Sequence, residues 1–135
     1  MWRAFLIATG LALLVVASSH ASSFDGAWSV VQTCGSTEDE SPRDTWRYDA
    51  TVKHGHLVGQ YRLKGQRPSL TLEGKIEPDG SATLTAEGLS ASPDYNVWSA
   101  ARQGRISFRI TANFEGTLGA GRAGVRGCHF MFNKH

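Results

Sequence analysis

Cysteine, methionine and proline are scarce here: 135 residues hold two Cys, two Met and four Pro. Two cysteines, Cys34 and Cys128, allow one pairing, and they do not form the Cys-x-x-Cys arrangement of redox sites. Charge of one sign is lacking as well. The chain has 14 Lys and Arg against 12 Asp and Glu, which argues against nucleic-acid binding by bulk charge. Beyond the first seventeen residues no apolar run could cross a bilayer as a helix, so no stable membrane insertion is expected. No helical period is sustained after that point either. The chain has no Gly-x-Ser-x-Gly and no His-Glu-x-x-His. Glu38-Asp39-Glu40 lacks the spacing and the glycine of a calcium loop. Gly116-x-x-Gly119-x-Gly121 precedes no helix, so hairpin turning rather than phosphate binding explains its glycines. His54-x-His56 has chelating spacing without a converging third ligand, and no metal or cofactor is expected. Asp and Glu fall mostly on outward positions or in loops, so a buried acid–base pair is hard to build and no enzyme activity is expected.

What is present begins with an export signal. Arg3 forms a positive n-region, Ala4 to Ala17 an apolar run, and Ser19-His20-Ala21 a small-x-small cleavage site. Residues 1–21 are expected to be a signal peptide cleaved after Ala21, and 22–135 a single secreted or periplasmic domain. No cysteine follows the cleavage point to carry a lipid anchor. A domain of this size buries a marginal core. Export offers the oxidising compartment in which a disulfide persists. A bridge closing so long a loop contributes on the order of 4 kcal/mol in the chain-entropy model.

Period-two alternation fills the rest. Phe24, Gly26, Trp28, Val30, Gln32 and Cys34 share one face of a first strand, and Arg126, Cys128, Phe130 and Phe132 share one face of a last. Each cysteine sits on an apolar face, so the two strands are expected to be neighbours joined by Cys34–Cys128, closing a sheet on itself. Between them, Trp46, Tyr48, Ala50 and Val52 point inward, then Leu57, Gly59, Tyr61 and Leu63, then Leu70, Leu72, Gly74 and Ile76, then Ala82, Leu84 and Ala86. His54-Gly55 and Pro78-Asp79-Gly80 are tight-turn signals. Tyr95–Ala101 reads either as a sixth strand or as part of a lid. Arg105–Gly116 alternates without a break as a seventh strand, with Ile106, Phe108, Ile110, Ala112 and Phe114 inward. Gly119-Ala120-Gly121 is expected to turn the chain into an eighth strand, Gly124–Phe132. The fold class is all-β: one antiparallel up-and-down barrel of about eight strands.

Gly26-x-Trp28 at the head of the first strand resembles the Gly-x-Trp of calycins, which include lipocalins, fatty-acid-binding proteins, avidins and small bacterial inhibitors of secreted metalloproteases. The resemblance implies a barrel in which the Trp plugs one end and a basic side chain of the last strand packs over it. If Cys34 lies opposite Cys128, Trp28 falls near Lys134, where the group usually has Arg; under another register Arg126 takes that place. The wider pattern Phe24-Asp25-Gly26-x-Trp28-Ser29-Val30…Cys34 with Arg126-x-Cys128-x-Phe130 is similar to small exported proteins of soil alphaproteobacteria. That likeness spans nearly the whole exported part and brings no activity with it.

Topology singles out one end. The odd-to-even connections, placed at Gly35–Asp44, Lys64–Pro68, Gly88–Asp94 and Thr117–Arg122, share a mouth, and loops at a mouth favour function. Arg62, Lys64, Arg67, Arg122 and Arg126 map there, with Arg43 at the end of the first loop and Glu38–Glu40 partly offsetting them. These cations are either a solvated rim or, through the arginines, an anion-binding set. Arg126 shares parity with Cys128 and Phe130, which points it inward, where it needs a partner. The inward aromatics are either a filled core or the wall of a site, and Gly59, Gly74 and Ala86 either let rings pack past one another or leave room. The sequence therefore predicts a monomeric binding module for a small, partly apolar or anionic molecule. Its candidate contacts are Arg126, Tyr48, Tyr61, Trp46, Arg62, Arg67, Trp98 and Arg122. The alternative is a filled barrel that binds a protein partner through its surface, in the manner of a protease inhibitor or an envelope-associated protein.

Overall fold

A computed structural model describes residues 23–35, 44–91, 104–124 and 127–135. Eight strands follow one another: β1 (Gly26–Cys34), β2 (Asp44–Lys53), β3 (His56–Tyr61), β4 (Ser69–Ile76), β5 (Ser81–Leu89), β6 (Arg105–Glu115), β7 (Leu118–Arg122) and β8 (His129–Lys134). Each pairs antiparallel with the next, and β8 pairs with β1, so the sheet is a closed barrel. Closure leaves no strand edge open to another chain. Among the described residues no helix is long and apolar enough to cross a membrane.

The turns follow their local chemistry. His54 and Gly55 both take positive φ, 52° and 76°, as a two-residue hairpin turn requires. Both Asp25 carboxylate oxygens accept backbone hydrogen bonds there, from the His54 N–H at 2.8 Å and the Gly55 N–H at 2.9 Å. At the next turn the Asp79 carboxylate accepts from the Ser81 N–H at 2.9 Å and the Ser81 hydroxyl at 2.6 Å. Gly80 then comes so close to β6 that a side chain there would collide with the Phe114 carbonyl.

Three expectations need correcting. β5 pairs directly with Arg105–Glu115, so that segment is the sixth strand and not the seventh; Tyr95–Ala101 lies outside the described residues. Gly119-Ala120-Gly121 lies within β7, opposite Phe114, Asn113 and Ala112, and the turn falls earlier, at Gly116-Thr117. Leu118–Arg122 is thus a strand of its own, and the eighth strand runs over His129–Lys134 rather than beginning at the expected Gly124. Leu63 is 69% exposed rather than inward. Arg62 adopts φ 57°, which ends β3 at Tyr61 and breaks the alternation before Leu63.

A cluster of buried apolar side chains packs inside the barrel, as an eight-stranded barrel permits. At the end bearing the tight turns, Trp28 is fully buried and its indole N–H donates to the Phe24 carbonyl at 2.8 Å. Phe114 meets the Trp28 ring edge-on at 5.4 Å, with Phe132 at 4.8 Å and Phe24 at 6.0 Å. Trp28 thus plugs this end. Its cross-strand neighbour is Lys134, whose ammonium donates to the Ser23 carbonyl at 3.3 Å while its stem crosses Gly26. Leu57, Leu72, Leu84 and Ile110 are fully buried behind this plug. The small inward residues serve packing. A side chain at Gly59 would meet the Tyr48 ring at 3.2 Å, one at Gly74 would meet Leu84 at 2.8 Å, and one at Gly119 would meet the Phe114 ring at 2.6 Å.

Candidate functional site

The register fixes which connections share the other end. Odd-numbered strands end and even-numbered strands from β2 on begin there, whereas His54-Gly55, 77–80 and Gly116-Thr117 close the plugged end. Thr117–Arg122 is therefore not a mouth loop. The mouth's ladders are finished by the Ser90 N–H donating to the Gly104 carbonyl at 2.7 Å, and by the Ala123 N–H donating to the Cys128 carbonyl at 3.0 Å.

Cys34 and Cys128 are bonded at this mouth, with Cα atoms 4.1 Å apart. The β1–β8 ladder runs from Trp28↔Lys134 to Thr33↔His129, and the bridge is the next pair in the same register. Cys34 is half-buried and Cys128 wholly buried. The bridge is compatible with an oxidising location.

Beside it lies a polar chain in an otherwise apolar layer. The Tyr48 hydroxyl donates to Gln32 Oε1 at 2.8 Å, and Gln32 Nε2 donates to Cys34 Sγ at 3.5 Å. Both residues are buried. Burial raises the Tyr48 pKa far above the phenol range, so the hydroxyl remains a donor. The Tyr48 ring lies 6.0 Å from that of Tyr61, which in turn stacks on Trp46 at 4.5 Å and 11°. Trp46 and Tyr61 are only half-buried. They make an aromatic shelf on the β2–β3 side of the mouth.

The β3–β4 loop flanks this shelf. The exposed Arg62 guanidinium donates to the Arg67 carbonyl at 3.4 Å, and the half-buried Arg67 donates to the Ser90 carbonyl at 3.4 Å. Gln60 Nε2 donates to the Arg62 carbonyl at 2.9 Å, tying the loop to β3. The Arg67–Pro68 peptide is cis.

The structure thus brings the rings of Trp46, Tyr48 and Tyr61 together, with Arg62 and Arg67 in the loop that follows Tyr61 and β3. Arg122 stands apart: it is exposed on the outer wall of β7, four strands around the ring from β3. There it lines a shallow groove of about 610 Å3 with His129 and Met131. Arg126, Trp98, Arg43 and Glu38–Glu40 lie outside the described residues, as does the leader expected over 1–21. Gln32 was not among the predicted contacts. Its signal was a polar side chain on an inward position between Val30 and Cys34, which must find hydrogen-bond partners when buried.

Among the residues whose side chains are described no carboxylate is buried, and among the described residues no three His, Cys, Asp or Glu side chains gather as metal ligands. His56 Nε2 instead lies 3.5 Å from the Glu73 carboxylate on the exposed outer wall. No family model, no curated protein and no solved structure matches this chain.

Proposed function

We propose that this is an exported, calycin-like binding module that works at its mouth, taking a small planar or partly apolar anion. The observation that carries the reading is the half-buried Trp46–Tyr61 stack, an apolar surface left partly open to water where the connections meet. An aromatic face offers stacking area, and guanidiniums from the adjoining loop offer charge-assisted hydrogen bonds to an acidic group. The filled interior favours a ligand seated on the shelf rather than along the barrel axis. Trp28 buried as an end plug supports the calycin resemblance, and the disulfide supports export.

A second reading rests on that same filled interior: the mouth would engage a protein, with Trp46 and Tyr61 as aromatic anchors. Fluorescence titration with 8-anilinonaphthalene-1-sulfonate, a planar apolar anion, separates the two. Saturable binding that falls about tenfold or more in Trp46→Ala and in Arg67→Ala, with circular dichroism unchanged, supports the small-ligand reading. Binding indifferent to both substitutions refutes it. Native mass spectrometry of protein purified from its own periplasm or medium adds a second check: a discrete adduct that leaves on denaturation is expected.

A further inference from the structure

The mouth holds a connection that the binding reading does not use. A hydrogen-bonded and stacked chain runs from Cys34 Sγ through Gln32 and Tyr48 to Tyr61 and Trp46. We propose that the Cys34–Cys128 bridge, acting through Gln32, positions the Trp46–Tyr61 shelf, so that the shelf's geometry depends on the redox state of the bridge.

Three features make the coupling local. First, the bridge is the last pair of the β1–β8 seam on the mouth side. The ladder from Trp28 to Thr33 remains below it, and the far end is held by the His135 N–H on the Ala27 carbonyl at 2.9 Å. Breaking the bridge therefore frees the mouth end of the seam and leaves the barrel closed. Second, Gln32 is buried and has its amide shared between the sulfur and the tyrosine. A displaced sulfur leaves that amide to find a new partner, and Gln32 Oε1 moves with it. Third, Tyr48 cannot follow by ionising, because burial disfavours its charged form. It must rotate, and its ring lies against Tyr61.

The chemistry is thiol–disulfide exchange with a dithiol. A thiolate of the reductant attacks Cys34 Sγ, the more accessible sulfur, forming a mixed disulfide and releasing Cys128 as a thiolate. The reductant's second thiolate attacks its own bonded sulfur and releases Cys34. Two electrons pass to the protein, both cysteines take up protons, and the reductant leaves as a cyclic disulfide.

Labelling with 5-fluorotryptophan tests this without any ligand. The Trp46 19F resonance is identified by its loss in Trp46→Phe. On reduction with dithiothreitol to two free thiols, the Trp46 signal is expected to shift or broaden while far-UV circular dichroism is retained. Gln32→Met in the oxidised protein is expected to move the Trp46 signal with the bridge intact, and reduction should then move it little further. An unmoved Trp46 signal after full reduction overturns the proposal, and so does global unfolding on reduction, since either makes the bridge a staple alone. The proposal rests on the binding reading only for its consequence, a roughly tenfold loss of 8-anilinonaphthalene-1-sulfonate affinity on reduction, the effect of about one net hydrogen bond. A responsive Trp46 with no binding in either state refutes the binding reading and leaves the coupling standing. Equal binding in both states with an unmoved Trp46 does the reverse.

Discussion

Replacing Phe114 with alanine tests whether the plugged end is packed as described. Phe114 is 3% exposed and touches the rings of Trp28, Phe132 and Phe24. Truncating a buried phenylalanine costs about 3–5 kcal/mol, the transfer term plus the cavity left behind. The upper part of that range applies here, about 4–5 kcal/mol, because the surroundings cannot collapse into the space. Trp28 is tethered through its indole N–H to the Phe24 carbonyl, and Gly119 beside the ring has no side chain to offer. For a domain of this size about 1 kcal/mol corresponds to roughly 4 °C, so Tm should fall by roughly 15–20 °C. Urea unfolding followed by tryptophan fluorescence measures the change directly, with an unchanged m-value confirming that the same surface is exposed. Phe114→Leu should recover more than half of the loss. A loss below about 1.5 kcal/mol in Phe114→Ala would mean that the ring is not a hub of the core, and the filled-barrel description would fail at that end.

Two further outcomes follow from named groups. Tyr48→Phe leaves Gln32 Oε1 buried without its donor and should cost about 1–3 kcal/mol in urea unfolding; a neutral effect would place water at that oxygen. Asp25 has its carboxyl held below the ordinary 3.8, chiefly by the Gly55 N–H and also by the His54 N–H. Asp79 is lowered likewise by the Ser81 hydroxyl and N–H. A depressed carboxylate stabilises the fold above its unfolded pKa, and that contribution is lost as pH falls through the lower folded value. Tm should therefore decline below about pH 4, and Asp25→Asn should lower Tm at pH 7 while flattening the acid limb. An acid limb identical in wild type and variant would show that Asp25 does not hold the His54-Gly55 turn.

Much of the barrel is legible in the chain because a strand's alternation is local. Trp28, Val30, Tyr48, Val52, Leu57, Leu72, Leu84, Ile110 and Phe130 are inward by parity alone, and all are buried. Two cysteines on the apolar faces of the first and last strands admit one pairing, and the bridge is there. The misreadings arise where the chain changes state at a point that parity does not mark. Gly119-Ala120-Gly121 reads as a turn, yet it is the narrow strand that makes room for the Phe114 ring, a requirement set by a residue on the neighbouring strand. Leu63 follows the alternation, but Arg62 leaves the β region first.

Composition and periodicity by themselves determined an all-β chain, a closed sheet with its seam at the two cysteines, and an end where the connections meet. Tertiary structure alone decided how the rings share the interior, because packing depends on distances between strands far apart in sequence. It placed Trp46 against Tyr61, set Gln32 between Tyr48 and the bridge, and sent Arg122 to the outer wall opposite Arg62 and Arg67. Parity assigns a side chain to a face, and only the closed ring, with its register, decides which side chains meet across it.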